Sequence, residues 1–307
     1  DDDGANANRL RPWEINDVRP REDDIFQERL YAIQWMDAKD LKKGKGNPRT
    51  WFASVTPEDL EREEKVTSYV ERHLAEWQRD GFVSDMEIEP GNKTDEPIRT
   101  RGWTYWHHLF CARQILFTSL TLKEAKASPE GCTFAAKFID WNSKLCRYGT
   151  GAARESVAQT FYNQAINPFP NYGVRSFGFA RSYLEDVPAN SPLAGRGNLV
   201  SRRASEAQEQ VDVYITDPPY ADAVQYDEIT EFFIAWLRKN PPKPFNEWIW
   251  DSRRNLAIKG EGQSFKSAMI EAYGVMTGHM SDNGLQIVQF THQEAKTWSD
   301  MAQIFWG

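Results

Sequence analysis

Residues 211–220 constrain this chain more than any other stretch. Val211-Asp212-Val213-Tyr214-Ile215-Thr216 is a β-branched run suited to a buried strand, and Asp217-Pro218-Pro219-Tyr220 follows it directly. Proline has no N–H to give to a ladder, so two in succession must end the strand. Beyond them Ile229, Phe232, Phe233, Trp236 and Leu237 recur at helical spacing, and Pro241-Pro242 closes the run. A helix is expected over 264–277, a turn at Asp282-Asn283-Gly284, a strand over 285–290 and a helix over 294–305. Strands alternating with helices predict an α/β layered sheet.

The first two-thirds read differently. Residues 56–79 form a polar helical pattern, opened by Thr56 and Asp59 at the spacing of a capping box. Apolar positions between 103 and 120 fall at helical spacing, and further helices are expected over 133–147 and 152–165. The polar run 91–97 marks an internal boundary, and 167–197, with eight Pro and Gly residues, reads as mostly loop. Three regions are therefore expected. Residues 1–100 form an acidic, partly helical accessory region, 101–197 a helical insertion and loop, and 198–307 the α/β portion.

Composition sets the class. At 307 residues the chain can bury a real core, and 12 Trp, 17 Phe and 11 Tyr are too many for a disordered polypeptide. No run approaches the ~18 apolar residues of a membrane span, and no signal peptide opens the chain. Cys111, Cys132 and Cys146 stand far apart, so neither a disulfide framework nor a paired-cysteine zinc site is offered. The expectation is a soluble, globular, cytoplasmic protein. The first residue is Asp1 and the last are Ile304-Phe305-Trp306-Gly307, which suggests a piece of something longer.

The net charge of −8 is unevenly spread. Residues 1–100 carry 16 basic and 24 acidic side chains, 101–200 carry 11 and 6, and 201–307 carry 10 and 15. An acidic total disfavours bulk binding to phosphate backbones. The positive middle, with Arg175, Arg181 and Arg196 running on to Arg202 and Arg203, either builds such a surface or is an ordinary solvated face.

An acid, two prolines and an aromatic at the carboxyl end of a strand have a chemical use. The Asp217 carboxylate and the Pro218 carbonyl form two fixed acceptors. The exocyclic amine of a nucleobase has two N–H donors. Binding both draws the nitrogen lone pair out of conjugation with the ring and aims it at an electrophile. Pro219 shapes the loop, and Tyr220 offers a flat face for a base that has left the duplex. Open α/β sheets bind ligands at this end of their strands.

The segment Asp217-Pro218-Pro219-Tyr220 resembles the catalytic motif of amino-group DNA methyltransferases. The longer string from Asp212 through Tyr226, running into Phe232-Phe233-Ile234-Ala235-Trp236-Leu237-Arg238, is similar to large prokaryotic adenine-specific DNA methylases associated with phage-defence islands. Segments at 24–31, 109–114 and 290–298 resemble that group as well, more loosely. The resemblance implies a Rossmann-like sheet, S-adenosylmethionine as methyl donor, DNA as partner and adenine N6 as target. It also implies a restriction-modification or defence setting with other defence proteins, and no membrane.

One family feature is missing. A glycine-rich Phe-x-Gly-x-Gly loop should follow a first strand, and none is present. Lys43-Gly44-Lys45-Gly46 reads as a solvated basic loop, and Gly149-Thr150-Gly151 as a breaker between helices. The cofactor-binding residues are thus unassigned, and the chain alone is expected to be a poor catalyst.

Lesser candidates surround the motif. Asp222 and Tyr226 would contact the flipped base or its backbone, although Asp222 could equally cap a turn. Arg113 would either pair with a core carboxylate or reach the substrate strand. His292 follows a strand in a family-like context. His107 and His108 are adjacent and cannot easily share one metal, so no metal is expected. Trp248 and Trp250 would stack on bases or pack in the core. The expected function is transfer of a methyl group from S-adenosylmethionine to adenine N6. The alternatives are cytosine N4 or an RNA base as target, or a non-catalytic nucleic-acid-binding or scaffold subunit that keeps the motif.

Overall fold

The computed structural model describes residues 30, 32–43, 49–126, 128–146, 148–151, 154–157, 159–161, 195–219, 225–259 and 262–306. It is a mixed α/β protein that separates into two compact units: residues 1–187 with 235–246, and 188–234 with 247–307. Among the described residues no helix is long and apolar enough to cross a membrane.

Among the described residues the first element of the first unit is an antiparallel hairpin of β1 (Ala32–Met36) and β2 (Thr50–Ser54), with α1 (Ala38–Lys43) between the strands. Arg49 ties the hairpin together, donating to Asp37 at 2.8 Å and Asp40 at 3.0 Å. The long helix α2 (Pro57–Asp80) starts where the capping box predicts. The Asp59 N–H donates to Thr56 Oγ1, and the Thr56 N–H donates back to Asp59 Oδ2, so two otherwise orphaned donors are satisfied. Gly81 ends α2 at φ 79°, where a Cβ would stand 2.5 Å from Lys239 and Asn240. Only glycine fits there.

The expected helix over 103–120 is broken in two. A 3-10 turn spans Trp106–Leu109, Phe110 and Cys111 are extended, and α4 (Ala112–Ala125) begins afresh, after the short α3 (Asp95–Arg101). Phe110 turns inward to meet Trp236 edge-on at 4.8 Å, while Gln114 Oε1 accepts the Cys111 N–H and starts the new helix. Helix α5 (Pro129–Asp140) packs against α4 through Phe117 and Phe138. Trp106, Leu109, Phe138 and Ile139 are each at most 1% exposed and form the core.

Two expectations fail here. The helix expected over 133–147 stops at Asp140, and the one over 152–165 is not formed at 154–157. Instead β3 (Tyr148–Gly151) pairs antiparallel with β4 (Arg154–Val157). Gly149 and Gly151 weaken a helix on either side, and Tyr148, Thr150 and Val157 favour strands. Gly149-Thr150-Gly151 therefore lies within a strand, not between helices.

The second unit carries the parallel pair β5 (Val211–Thr216) and β6 (Met280–Val288). Helix α6 (Tyr226–Leu237) runs from this unit into the first, and α7 (Gly262–Gly278) and α8 (Ala295–Trp306) complete it. Register shifts between Val211, opposite Met280, and Val213, opposite Leu285. The turn expected at Asp282-Asn283-Gly284 is not formed: these residues lie inside β6, which begins at Met280 and not at 285. The ladder absorbs them as a register shift, where a Cβ on Gly284 would meet the Ser281 carbonyl at 2.9 Å. Phe265, Met269, Tyr273, Met301 and Ile304 make the core, with Val288 of the sheet packed against it.

The buried strand expected at 211–216 is covered on one face only. Tyr214, Thr216, Gln286 and Val288 are half-buried, whereas Val213, Ile215, Leu285 and Ile287 on the other face are 40–64% exposed. Paired residues of a parallel ladder share a face, so the four aliphatic side chains form one strip.

Candidate functional site

The motif stands at the carboxyl end of β5. The Gln289 N–H donates to the Thr216 carbonyl at 2.8 Å, and this is the last rung before the prolines. In parallel register the next rung would run from the N–H of residue 218 to the Gln289 carbonyl. Pro218 has no such N–H, so the ladder must stop one residue into the motif. Asp217 is exposed, Pro218 is buried and Pro219 half-buried. An exposed acidic residue thus sits on a backbone anchored by the buried Pro218. Thr216 is fixed in turn, its hydroxyl 3.0 Å from the Tyr273 hydroxyl on α7, and burial raises the pKa of that phenol.

Tyr220 and Asp222 lie outside the described residues. Tyr226 begins α6 and is 56% exposed, its carbonyl accepting from Thr230 at 2.6 Å. Two turns of α6 carry Glu228 and Glu231, both buried, and Glu231 is ion-paired with the buried Arg254. That pair ties the helix after the motif to the 3-10 turn Arg254–Leu256. Sequence reasoning missed it, since the two residues are 23 positions apart and nothing local links them.

His292 lies four residues past the end of β6, the strand paired with β5. Its Nδ1 accepts the Glu294 N–H at 3.0 Å, which leaves the proton of the neutral ring on Nε2. The Trp298 indole donates to the His292 carbonyl at 2.9 Å, and Phe290 packs edge-on against Trp298. These bonds organise the start of α8, and they are the structural work the residue performs.

Arg113 belongs to the other unit. On α4 it donates to Glu63 of α2 at 2.7 Å, both side chains being about one-third exposed, so its carboxylate partner is not the core one expected. His107 and His108 meet edge-on at 4.6 Å. Burial pushes His107 down to about 4 and also lowers His108, which keeps both neutral at physiological pH. Trp248 and Trp250 are half-buried. Among the described residues no group of three His, Cys, Asp or Glu side chains could hold a metal ion.

The donor is a separate question. A methionine-bearing cofactor needs backbone that approaches closely at a strand mouth, which glycines permit. Added Cβ atoms at Gly195, Gly197, Gly262, Gly274 and Gly278 would meet nothing within 4 Å, and Gly284 is taken up by the register shift in β6. Open space beside these glycines leaves the donor-binding residues unassigned. What the described residues do supply is an exposed aspartate followed by a buried proline at the end of a parallel strand. Comparison with family models, curated proteins and solved structures finds no match to this chain.

Proposed function

We propose that this chain carries the base-gripping part of an S-adenosylmethionine-dependent DNA methyltransferase acting on adenine N6, with β5 and β6 as two strands of a Rossmann-like sheet. The observation that carries the reading is the exposed residue Asp217 at the end of a proline-terminated parallel strand. Asp217 accepts one N–H of the exocyclic amine and the Pro218 carbonyl accepts the other. Placing two acceptors around one amine is where such a site gains its rate. Tyr220 stacks on the extruded base, Pro219 holds the turn, and Asp222 and Tyr226 contact the base or its flanking backbone. Arg113 and His292 fit this reading only as supporting residues. DNA is the partner, defence-system proteins are further candidates, and the setting is cytoplasmic. The same acceptors would grip cytosine N4 or the amine of an RNA base.

A second reading is a nucleic-acid-binding or scaffold subunit that keeps the motif without catalysis, and the missing glycine cradle favours it. Calorimetry with S-adenosylmethionine separates the two, run on this chain and on any longer gene product that contains it. Binding by either, with methyl transfer to adenine that Asp217→Ala abolishes, supports the enzyme. DNA binding with no donor binding in any form supports the subunit.

A further inference from the structure

The β1–β2 hairpin of the first unit shows its two tryptophans to solvent. Trp35 stands directly opposite Trp51 in the antiparallel register, so both indoles leave the same face of the ribbon. They are 43% and 50% exposed. Tryptophan carries the largest apolar area of any side chain, and a fold ordinarily covers it. The charge around this pair is the reverse of the chain's own. Residues 32–54 hold five basic and two acidic side chains, in a chain of net −8. Both acids, Asp37 and Asp40, are bonded to Arg49, and these bonds keep its guanidinium charged, with the pKa raised above the ordinary value. The lysines of the segment therefore set its sign in the sequence, and Lys39, on α1 between the two strands, is exposed.

We infer that this face of the hairpin is a stacking platform for single-stranded nucleic acid, with bases on Trp35 and Trp51 and phosphates toward the exposed Lys39. Every base has a flat π-face, so paired exposed indoles hold a strand without reading its sequence, and basic side chains follow its backbone. A duplex hides those faces inside its own stack. The site needs neither Asp217 nor a methyl donor, and it lies in a region whose acidic total conceals it from a composition reading.

The test uses the 307-residue chain with fluorescein-labelled oligothymidine, oligouridine and a duplex of equal length, read by anisotropy over a salt series. Expected are tighter binding of either single strand than of the duplex, and an affinity that falls as salt rises. Trp35→Ala and Trp51→Ala should each weaken single-strand binding at least about fivefold, while Trp51→Phe retains most of it. Circular dichroism checks that the variants fold. Photocrosslinking of a 5-bromodeoxyuridine strand to the unaltered chain, mapped by mass spectrometry, locates the contact without any substitution. Crosslinks at Trp35 or Trp51 support the proposal. Crosslinks confined elsewhere, equal affinity for the duplex, or no measurable binding overturn it.

Discussion

Asp217 and Asp140 show how one residue type serves opposite ends. Asp217 is exposed at a strand end, whereas Asp140 is sunk beside Thr160, whose N–H donates to its Oδ1 at 3.3 Å. Burial pushes Asp140 up to about 6, against the opposing pull of that hydrogen bond and of Lys137. A carboxyl with a raised folded-state pKa favours the folded state when protonated. Its contribution is complete below about pH 4, the unfolded value, and is lost as pH rises through about 6. Asp140→Asn should therefore gain on the natural chain between pH 4 and 7, in denaturation midpoints measured at several pH values. A difference that stays flat contradicts this. The buried pair gives a larger effect. Arg254→Ala strands the Glu231 carboxylate in the core and should cost about 3–5 kcal/mol in urea unfolding. A loss below about 1 kcal/mol would mean the pair is not isolated from water. Asp217 was legible in the sequence because its meaning is local: strand, acid, two prolines. Glu231 and Arg254 were not, because only the fold brings them together.

At the level of elements, local grammar was again what could be read. The start of α2 followed from Thr56 and Asp59, and its stop from the left-handed Gly81. Thr56→Ala should destabilise the chain by about 1 kcal/mol, with Thr56→Ser recovering most of the loss. Thermal melts of the three proteins settle it, and equal melting temperatures would show that the cap is idle. Helices over 226–237, 262–278 and 295–306 stand within a few residues of their expected limits, because apolar periodicity is strong there. The failures have physical causes. Residues 154–157 pair with 148–151, and that non-local ladder outweighs a local helical pattern. The helix expected over 103–120 breaks at Phe110 because burial against Trp236 pulls the backbone into extension. The exposed face of β5 was illegible for another reason. A β-branched run says that a strand is fit for burial, and only its neighbours decide whether it is covered.

For the molecule as a whole, the two units follow no break in composition. Helix α6 belongs to both, its Tyr226 end following the motif and its Trp236 end sitting in the first unit's core. Arg238 and Lys239, just beyond it, both bond Asp85, and Asn240 donates to the Asp80 carbonyl at 2.8 Å. A chain that leaves one unit inside a helix offers no Pro- or Gly-rich linker to find, so sequence alone could not place that crossing. The charge gradient was equally coarse, averaging a basic hairpin into an acidic third. The amine clamp at Asp217 and Pro218 is the claim on which the functional account turns, and the modified bases it leaves in DNA test it most directly. DNA from cells expressing the intact gene that encodes this chain, digested to nucleosides and analysed by mass spectrometry, should contain N6-methyladenine. The Asp217→Ala gene should leave none above background. Undiminished methylation in that variant would contradict the account.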